Sequence, residues 1–471
     1  MSHNFKFLAL LVSLTLVRGL IYIAIFPPWL APDEPAHFEA IRLMGQEGVW
    51  PTQAIYLTTP MHPDMHTSFQ SFQIWQLSGY APPQDALNPH EPVNNLFIYY
   101  YPPTSTGSLI IAGNYPLVYH VLMAPLSTLV KNLPLVQQLY LMRLVSLLFT
   151  TLTVILGWFF AQTIFPRNKV YAFGLTIFLI FLPMNLHVNT SVNSDVFVVF
   201  LVSLYFFGLA KLFCEGVSLS KIGLTAVALG LAIMTKPTAL FIIPTTFVAL
   251  IVYLARRFYW KPLLLTGLLV IIVVLTFSGS IVLFQVTEGG RAISTLQSFS
   301  HPLNLQKNYF GPSSWAIYLH TIRWGFLSFW GLFGWANIPI LRTGMRAVWL
   351  ICLVIGFGGL LFIKKYILPM GQSQRTLSSN QQDILLVLLF SLMFILISMY
   401  TPIIATQSTH WGPPSRYFFP ALLPFSLYFF LGYQQLIPAR FYSLTLPIWL
   451  AALLLFDTFA WGYVLIPRLY G

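Results

Sequence analysis

The chain has 471 residues, of which 57% are hydrophobic, 16% aromatic and only 8% charged. Apolar stretches long enough to cross about 30 Å of hydrocarbon recur along it, which excludes a soluble globular protein and defines a multi-pass membrane protein. The formal net charge of +12 does not point to nucleic acid, because the lysines and arginines stand singly in short loops rather than together on one soluble face.

The first apolar stretch, Phe5 to Leu30, carries Lys6 and Arg18. No small-residue cleavage site follows, so it predicts a retained first helix rather than a removed signal peptide. A long outer loop follows over about residues 28–138, rich in proline and tyrosine. Within it an amphipathic helix after Pro35, with Phe38, Ile41 and Met44 on one side, is expected to lie along the membrane surface. The apolar run Tyr115 to Val130 contains Pro116, His120 and Pro125, which predicts an interfacial or half-inserted helix rather than a full span.

Further spans are expected at about 139–163, 170–187, 196–213, 222–236, 238–255, 262–285, 346–363, 384–404, 416–436 and 441–465, about eleven with the first. A second outer loop, about 286–345, surrounds the aromatic run from Phe326 to Trp335. The parity of this map rests on Thr235-Lys236-Pro237. The loops this map puts inside hold Arg167, Lys169, Lys211, Lys221, Arg256, Arg257, Lys261, Lys364, Lys365, Arg375 and Arg440, as the positive-inside rule requires, and only reading that break as a tight hairpin keeps Arg256, Arg257, Lys364 and Lys365 among them. It also places Lys236 near the outer surface and the C-terminus outside. The chain therefore reads as one all-α integral-membrane domain over residues 1–471, with no internal repeat and no soluble domain. Its two cysteines, Cys214 and Cys352, offer neither a disulfide framework nor a CxxC metal site.

Charge is so scarce that its placement is informative. Of twelve carboxylates, seven (Asp33, Glu34, Glu39, Glu47, Asp64, Asp85 and Glu91) lie between the first apolar segment and residue 112. An acid before Pro35 suits a helix N-cap, but one cap needs one acid, and here Asp33 and Glu34 come with His37 within a turn. Such a pair can deprotonate an acceptor hydroxyl while its partner positions a sugar or a metal. Asp195 falls where the third span ends and the fourth begins on the same outer side, so two short outer segments deliver acids to one face. Its alternative reading is again a cap.

Arg416 opens the tenth span after Ser408-Thr409-His410-Trp411-Gly412-Pro413-Pro414-Ser415. A guanidinium there either snorkels to lipid headgroups or holds a phosphate through several oxygens. Lys236 faces the same choice, and snorkelling is the simpler reading for it. His62, Asp64 and His66 alternate as they would on one side of an extended strand, a set that suits zinc or manganese, but Pro63 and the shortness of the pattern favour a solvated loop. Arg18 and Asp457 lie inside spans and are expected to form a structural ion pair.

Taken in order, the acid pair after the first span, the acid opening the next outer loop, the outer Thr-Lys-Pro turn and the late Ser-Arg-Tyr-Phe-Phe-Pro resemble the GT-C superfamily of polytopic glycosyltransferases. That superfamily includes the aminoarabinose transferases and protein O-mannosyltransferases. The Pro32-Asp33-Glu34-Pro35-Ala36-His37-Phe38, Phe329-Trp330-Gly331 and Phe333-Gly334-Trp335 segments are similar to a bacterial group of unassigned acceptor. The resemblance implies a GT-C-like bundle that moves a hexosyl or pentosyl unit, with inversion, from a polyprenyl-phosphate carrier to an envelope glycan, lipid or protein. Transfer would take place on the extracytoplasmic face of the inner membrane.

By that analogy Asp33 is the catalytic base, and Glu34 and Asp195, with His37 and His410 beside them, contact sugar, acceptor or metal. Arg416 and Lys236 receive the carrier phosphate, and a divalent ion on Asp33 and Asp195 is the one cofactor to consider. Asn114-Tyr115-Pro116 stands where aminoarabinose transferases carry an acid and a lysine, which shifts the phosphate role toward Arg416. The chain also ends without the soluble domain of oligosaccharyltransferases, so transfer of whole glycans to sequons is not expected. A transporter or flippase of a lipid-linked saccharide is the rival class. It predicts inverted repeats and helices broken at mid-membrane around polar groups, neither of which the sequence contains.

Overall fold

The computed structural model describes residues 3–50, 62–78, 118–257, 311–340, 342–368, 377–406 and 415–471. Apart from a two-residue antiparallel hairpin that pairs Leu332 with Pro339 and Phe333 with Ile338, the described elements are helical. Among the described residues seven helices are long and apolar enough to cross a membrane, or eight if the bent pair Lys169–Phe181 and Pro183–Asn189 counts as one span. The expected span at 262–285 lies outside the described residues. The expected 222–236 and 416–436 spans are a 17-residue helix, Leu219–Thr235, and a 3-10 turn, Ser415–Ala421, running into Leu422–Leu436.

Local chemistry sets the helix boundaries. Asn193 accepts from the Val196 N–H at 3.1 Å and Ser218 from the Lys221 N–H at 3.4 Å, each as an N-cap. Pro183 opens the short helix after a 63° bend, where proline suits a first turn and cannot continue a preceding helix.

Ion pairs at both ends orient the next two helices. Lys221 reaches Glu215 at 3.3 Å and Lys236 reaches Asp195 at 2.7 Å, so Leu219–Thr235 runs antiparallel to Ser194–Glu215. Lys236 is extended and Pro237 starts a new turn. The Ile242–Arg257 helix then descends, with Tyr205 bonded to Thr246 at 2.8 Å and Phe213 edge-on to Tyr253 at 5.8 Å. The break at Lys236 is therefore a hairpin. Arg18 and Asp457 pair inside the bundle as expected, and Tyr22 donates a further bond to Asp457 at 2.9 Å.

Two expectations need correction. The Glu34–Arg42 helix is buried along its whole length instead of lying on the membrane surface, because its few charges find partners: Arg42 holds Glu39 through two nitrogens at 2.7 and 2.8 Å and also pairs with Glu47. His62, Asp64 and His66 do not alternate along a strand. Pro63 starts a helix, Pro63–Ser71, and His62 caps it by accepting from the Asp64 N–H at 3.2 Å. Within the second outer loop Pro312–Gly331 is a 20-residue helix. Val118–Val130 is a 13-residue helix, short of a span as expected.

Small residues set one close helix–helix approach. The Arg342–Phe362 helix meets Leu422–Leu436 at Gly358 and Gly432, where a Cβ on Gly432 would collide with the Ile355 carbonyl and the Gly359 backbone. Gly432→Val should therefore cost roughly 1–3 kcal/mol through overpacking, read as a lower unfolding temperature of the detergent-solubilised protein. Gly356→Ala, which meets nothing within 4 Å, should leave that temperature unchanged. Equal tolerance of both changes would contradict this packing.

Candidate active site

The acid pair after the first span is split by its backbone. Asp33 takes a left-handed conformation at φ 58°, as Trp29 does at φ 73°, so neighbouring carboxylates point to different partners. Asp33 occupies the N-cap position of the Glu34–Arg42 helix but makes no side-chain capping bond. Its carboxylate instead pairs with Arg416.

Glu34 turns inward and is fully enclosed. Arg143 grips it through Nε at 2.8 Å and Nη2 at 2.6 Å, while the Trp29 and Val192 N–H groups each donate to it at 3.1 Å. Arg143 also donates to the carbonyls of Phe26 at 2.8 Å and Pro27 at 3.0 Å. A bidentate, charge-assisted pair with further backbone donors is the arrangement in which a buried ion pair is best compensated. One side chain thereby ties together the Asp33 loop, the start of the Leu135–Ile164 helix and the turn that leads to Asp195. Strain at Trp29 is held by packing on both sides: its indole donates to Ser68 at 2.7 Å, and its carbonyl accepts from the Trp335 indole at 3.1 Å.

Asp195 lies in the first turn of the Ser194–Glu215 helix, but Asn193 does the capping, so the carboxylate is left for other work. Lys236 binds its Oδ1 at 2.7 Å, and Arg416 Nε approaches its Oδ2 at 3.9 Å. Lys236 and Arg416 flank the Tyr417 ring, 5.4 and 5.6 Å from its centre. All four charged groups are buried: Asp33 at 6%, Asp195 at 0%, Lys236 at 2% and Arg416 at 7% exposure. The snorkelling reading of Lys236 is therefore corrected, since a carboxylate partner makes burial preferable to reaching for the interface. Two acids and two bases from four separate segments form one chain of contacts, Asp33, Arg416, Asp195, Lys236, at one end of the bundle.

His37 adds a second polar pair. Its Nδ1 lies 2.9 Å from Nε2 of His120, the rings stacked with centres 5.1 Å apart. The outer nitrogens, His37 Nε2 and His120 Nδ1, are buried with no hydrogen-bond partner. Burial disfavours the charged forms, and the Lys236 charge adds to this, so His37 is held well below the usual histidine range and His120 falls to about 3.

His410 lies outside the described residues, as does the Asn114-Tyr115-Pro116 segment. The weaker metal set stays apart from the cluster, with Asp64 exposed and His62 spent as a cap; of the His66 side chain nothing is described. Among the described residues no three His, Cys, Asp or Glu side chains converge to hold a metal. Asp33 and Asp195 are already matched by Arg416 and Lys236, which a divalent ion must displace to bind there. Sequence reasoning missed Arg143 and His120 as site residues. An arginine inside an apolar span was the available signal for the first.

Fold and site together define a polytopic all-α membrane protein with a buried cluster of paired acids and bases at one end of its helix bundle. The chain belongs to the family described as "Predicted membrane protein (DUF2142)", whose model matches residues 16–424. No curated protein matches it in sequence. Among solved structures it is similar to ArnT from Cupriavidus metallidurans bound to undecaprenyl phosphate, at 14% identity and TM-score 0.42, covering 91% of this chain and 77% of that one. It is also similar to the same protein in the apo state, at 13% identity and TM-score 0.36, with 92% and 78% covered. With TM-scores this low, the functional reading rests on the site's own geometry.

Two predictions follow from the site. Removing one partner of the central pair leaves a buried charge uncompensated, so Arg143→Leu should cost roughly 3–5 kcal/mol. Arg143→Leu combined with Glu34→Leu should recover part of that loss in thermal unfolding; a double variant no more stable than the single one would contradict the assignment. For His120, the unfolded chain takes up a proton near pH 6.5 that the folded chain refuses until about pH 3. Stability should therefore fall as pH drops through that window. His120→Asn should flatten the fall in unfolding temperature, and parallel pH profiles would contradict the buried neutral pair.

Proposed function

We propose that this protein is a membrane glycosyltransferase that moves a sugar from a polyprenyl-phosphate carrier to an acceptor hydroxyl, with Asp33 as the general base. The observation that carries this reading is the buried Asp33, Arg416, Asp195, Lys236 chain, which combines one candidate base, one sugar-facing acid and two cations within a single site. A sugar joined to a phosphate already has a good leaving group. The protein therefore needs only a base for the attacking hydroxyl and positive charge for the departing phosphate.

In the proposed reaction the acceptor oxygen forms a bond to the anomeric carbon as its proton passes to Asp33. The bond from that carbon to the carrier oxygen breaks with inversion, and the phosphate leaves with the electron pair toward Arg416 and Lys236. Asp195 keeps the two cations in register and contacts the sugar. Glu34, all of whose partners are internal, is a positioning residue in this scheme rather than a catalytic one. His37 and His120 line the site as neutral groups.

The resting cluster has a further consequence for this reaction. With Arg416 on its carboxylate, Asp33 is held in an ion pair and is not free to approach an acceptor hydroxyl. A carrier phosphate competes for Arg416 and Lys236, and its arrival frees Asp33 only when the donor is in place. Proton abstraction is thereby coupled to donor binding.

The cations at the other end of the bundle support a reading of which side the site faces. The Ser194–Glu215 helix carries Asp195 at one end and Lys211 near the other, about 24 Å away. Arg167, Lys169 and Lys221 lie with Lys211 at that far end, which the positive-inside rule assigns to the cytoplasm. The site then faces the extracytoplasmic side of the plasma membrane. A flippase of a lipid-linked saccharide remains the second class, to be separated by the same experiment.

Asp33→Asn keeps the side chain's shape and removes the base, so sugar transfer from a polyprenyl-phosphate donor should fall roughly hundredfold or more, with folding and membrane insertion unchanged. Arg416→Lys should weaken donor binding, because an ammonium cannot reproduce the planar multi-pronged bonding of guanidinium. Near-normal transfer in Asp33→Asn would reject the base assignment, and saccharide movement across vesicles without transfer would favour the flippase.

A further inference from the structure

At the opposite end of the bundle from the acid cluster lies a cavity of about 1020 Å³. Its position is fixed by the helices that form it: Gln162 and Thr163 close the Leu135–Ile164 helix that begins beside Arg143, and Lys211 and Glu215 close the helix that begins at Asp195. The proposed glycosyl transfer makes no use of it. We propose that this cavity is a second binding site, for a glycerophosphate group such as the headgroup of an anionic phospholipid.

Charge carries the first part of the argument. Arg167 and Lys211 both line the cavity, with Glu215 as the one acid among its described lining residues. Glu215 is shared by two lysines, Lys221 at 3.3 Å and Lys211 at 3.9 Å, and Lys221 also donates to the Gly216 carbonyl at 2.9 Å. The stronger claim on the carboxylate is therefore Lys221's, outside the lining, and the cavity keeps a net positive balance suited to a phosphodiester. Basic pockets between helices at a membrane surface are the usual receptors for anionic headgroups.

The second part is the neutral lining. Gln434, Gln435 and Tyr442 face the cavity with Gln162, whose Nε2 is buried with no hydrogen-bond partner. A buried amide donor without a partner costs free energy that a ligand oxygen would recover. Amides and a phenol supply both donors and acceptors for vicinal hydroxyls, while Phe207, Phe362 and Leu431 on the same wall offer apolar surface to the attached chains. A bare inorganic anion would leave the amides and this apolar surface unused.

The test uses the full-length protein in nanodiscs and native mass spectrometry. Phosphatidylglycerol should be retained on release from the disc, and phosphatidylcholine with the same acyl chains should be lost. The double variant Arg167→Ala with Lys211→Ala should reduce phosphatidylglycerol retention by about a hundredfold, two charge-assisted contacts being lost, and Gln162→Leu separately by about tenfold, one amide contact being lost. Soluble glycerol 3-phosphate serves as the competing arm. Displacement of the lipid by it assigns the site to the free phosphopolyol, and failure to displace assigns it to the lipid-borne group. Gel filtration and the unfolding temperature in phosphatidylcholine discs check that the variants fold. Equal retention of the two lipids by wild type, or unchanged phosphatidylglycerol retention in folded variants, overturns the proposal. Neither result bears on Asp33 or on glycosyl transfer.

Discussion

The bond on which the arrangement depends is the one between Glu34 and Arg143. Neither group is accessible, and each would be costly alone in an apolar bundle. Together they use the two carboxylate oxygens and three guanidinium nitrogens on each other and on the carbonyls and N–H groups of the flanking loops. The first outer segment is thereby fixed to a transmembrane helix and to the turn before Asp195. Asp33 inherits its position from this bond. Its left-handed backbone would be unremarkable in a free turn, but here it follows directly on a strained Trp29 and precedes the residue that holds the whole loop. The aromatic hairpin after Pro312–Gly331 closes over the same place through Trp335.

A second constraint is electrical. Four ionised groups at the acid cluster are tolerable in a buried site only because they alternate in sign, and the alternation leaves the set with no net charge. An incoming phosphate would upset that balance and draw the two cations, with Asp33 the group most easily released, since it contributes one end of the chain. Recognition of the donor and exposure of the base would then be a single electrostatic event. The neighbouring histidines are kept neutral by the same burial and by the same cations, so they do not add charge to a site that has none to spare.

Much of this was legible because charge is rare in the chain. Asp33, Asp195, Lys236 and Arg416 stood out at the ends of apolar runs, and the structure brings these four together. What each does with its charge was not legible. Whether Lys236 reaches for lipid headgroups or turns inward depends on a partner 41 residues away. The separate fates of Asp33 and Glu34 depend on one backbone angle that no side-chain pattern reports. Arg143 went unremarked inside a predicted span, although an arginine there demanded a partner, and Glu34, read as a contact for sugar, acceptor or metal, is that partner. Pro63 already weakened the His62, Asp64 and His66 alternation, but the residue does more than interrupt a strand, since its fixed φ favours the first turn of a helix.

The central claim is that the paired acids and bases form the receptor for a phosphate-linked sugar carrier. The most direct measurement is a structure of the full-length protein in lipid with a polyprenyl phosphate bound. The account predicts the phosphate between Arg416 and Lys236, the Asp33 to Arg416 contact broken, and the Glu34 to Arg143 pair unchanged. A phosphate bound elsewhere in the bundle, with Asp33 still held by Arg416, would contradict it.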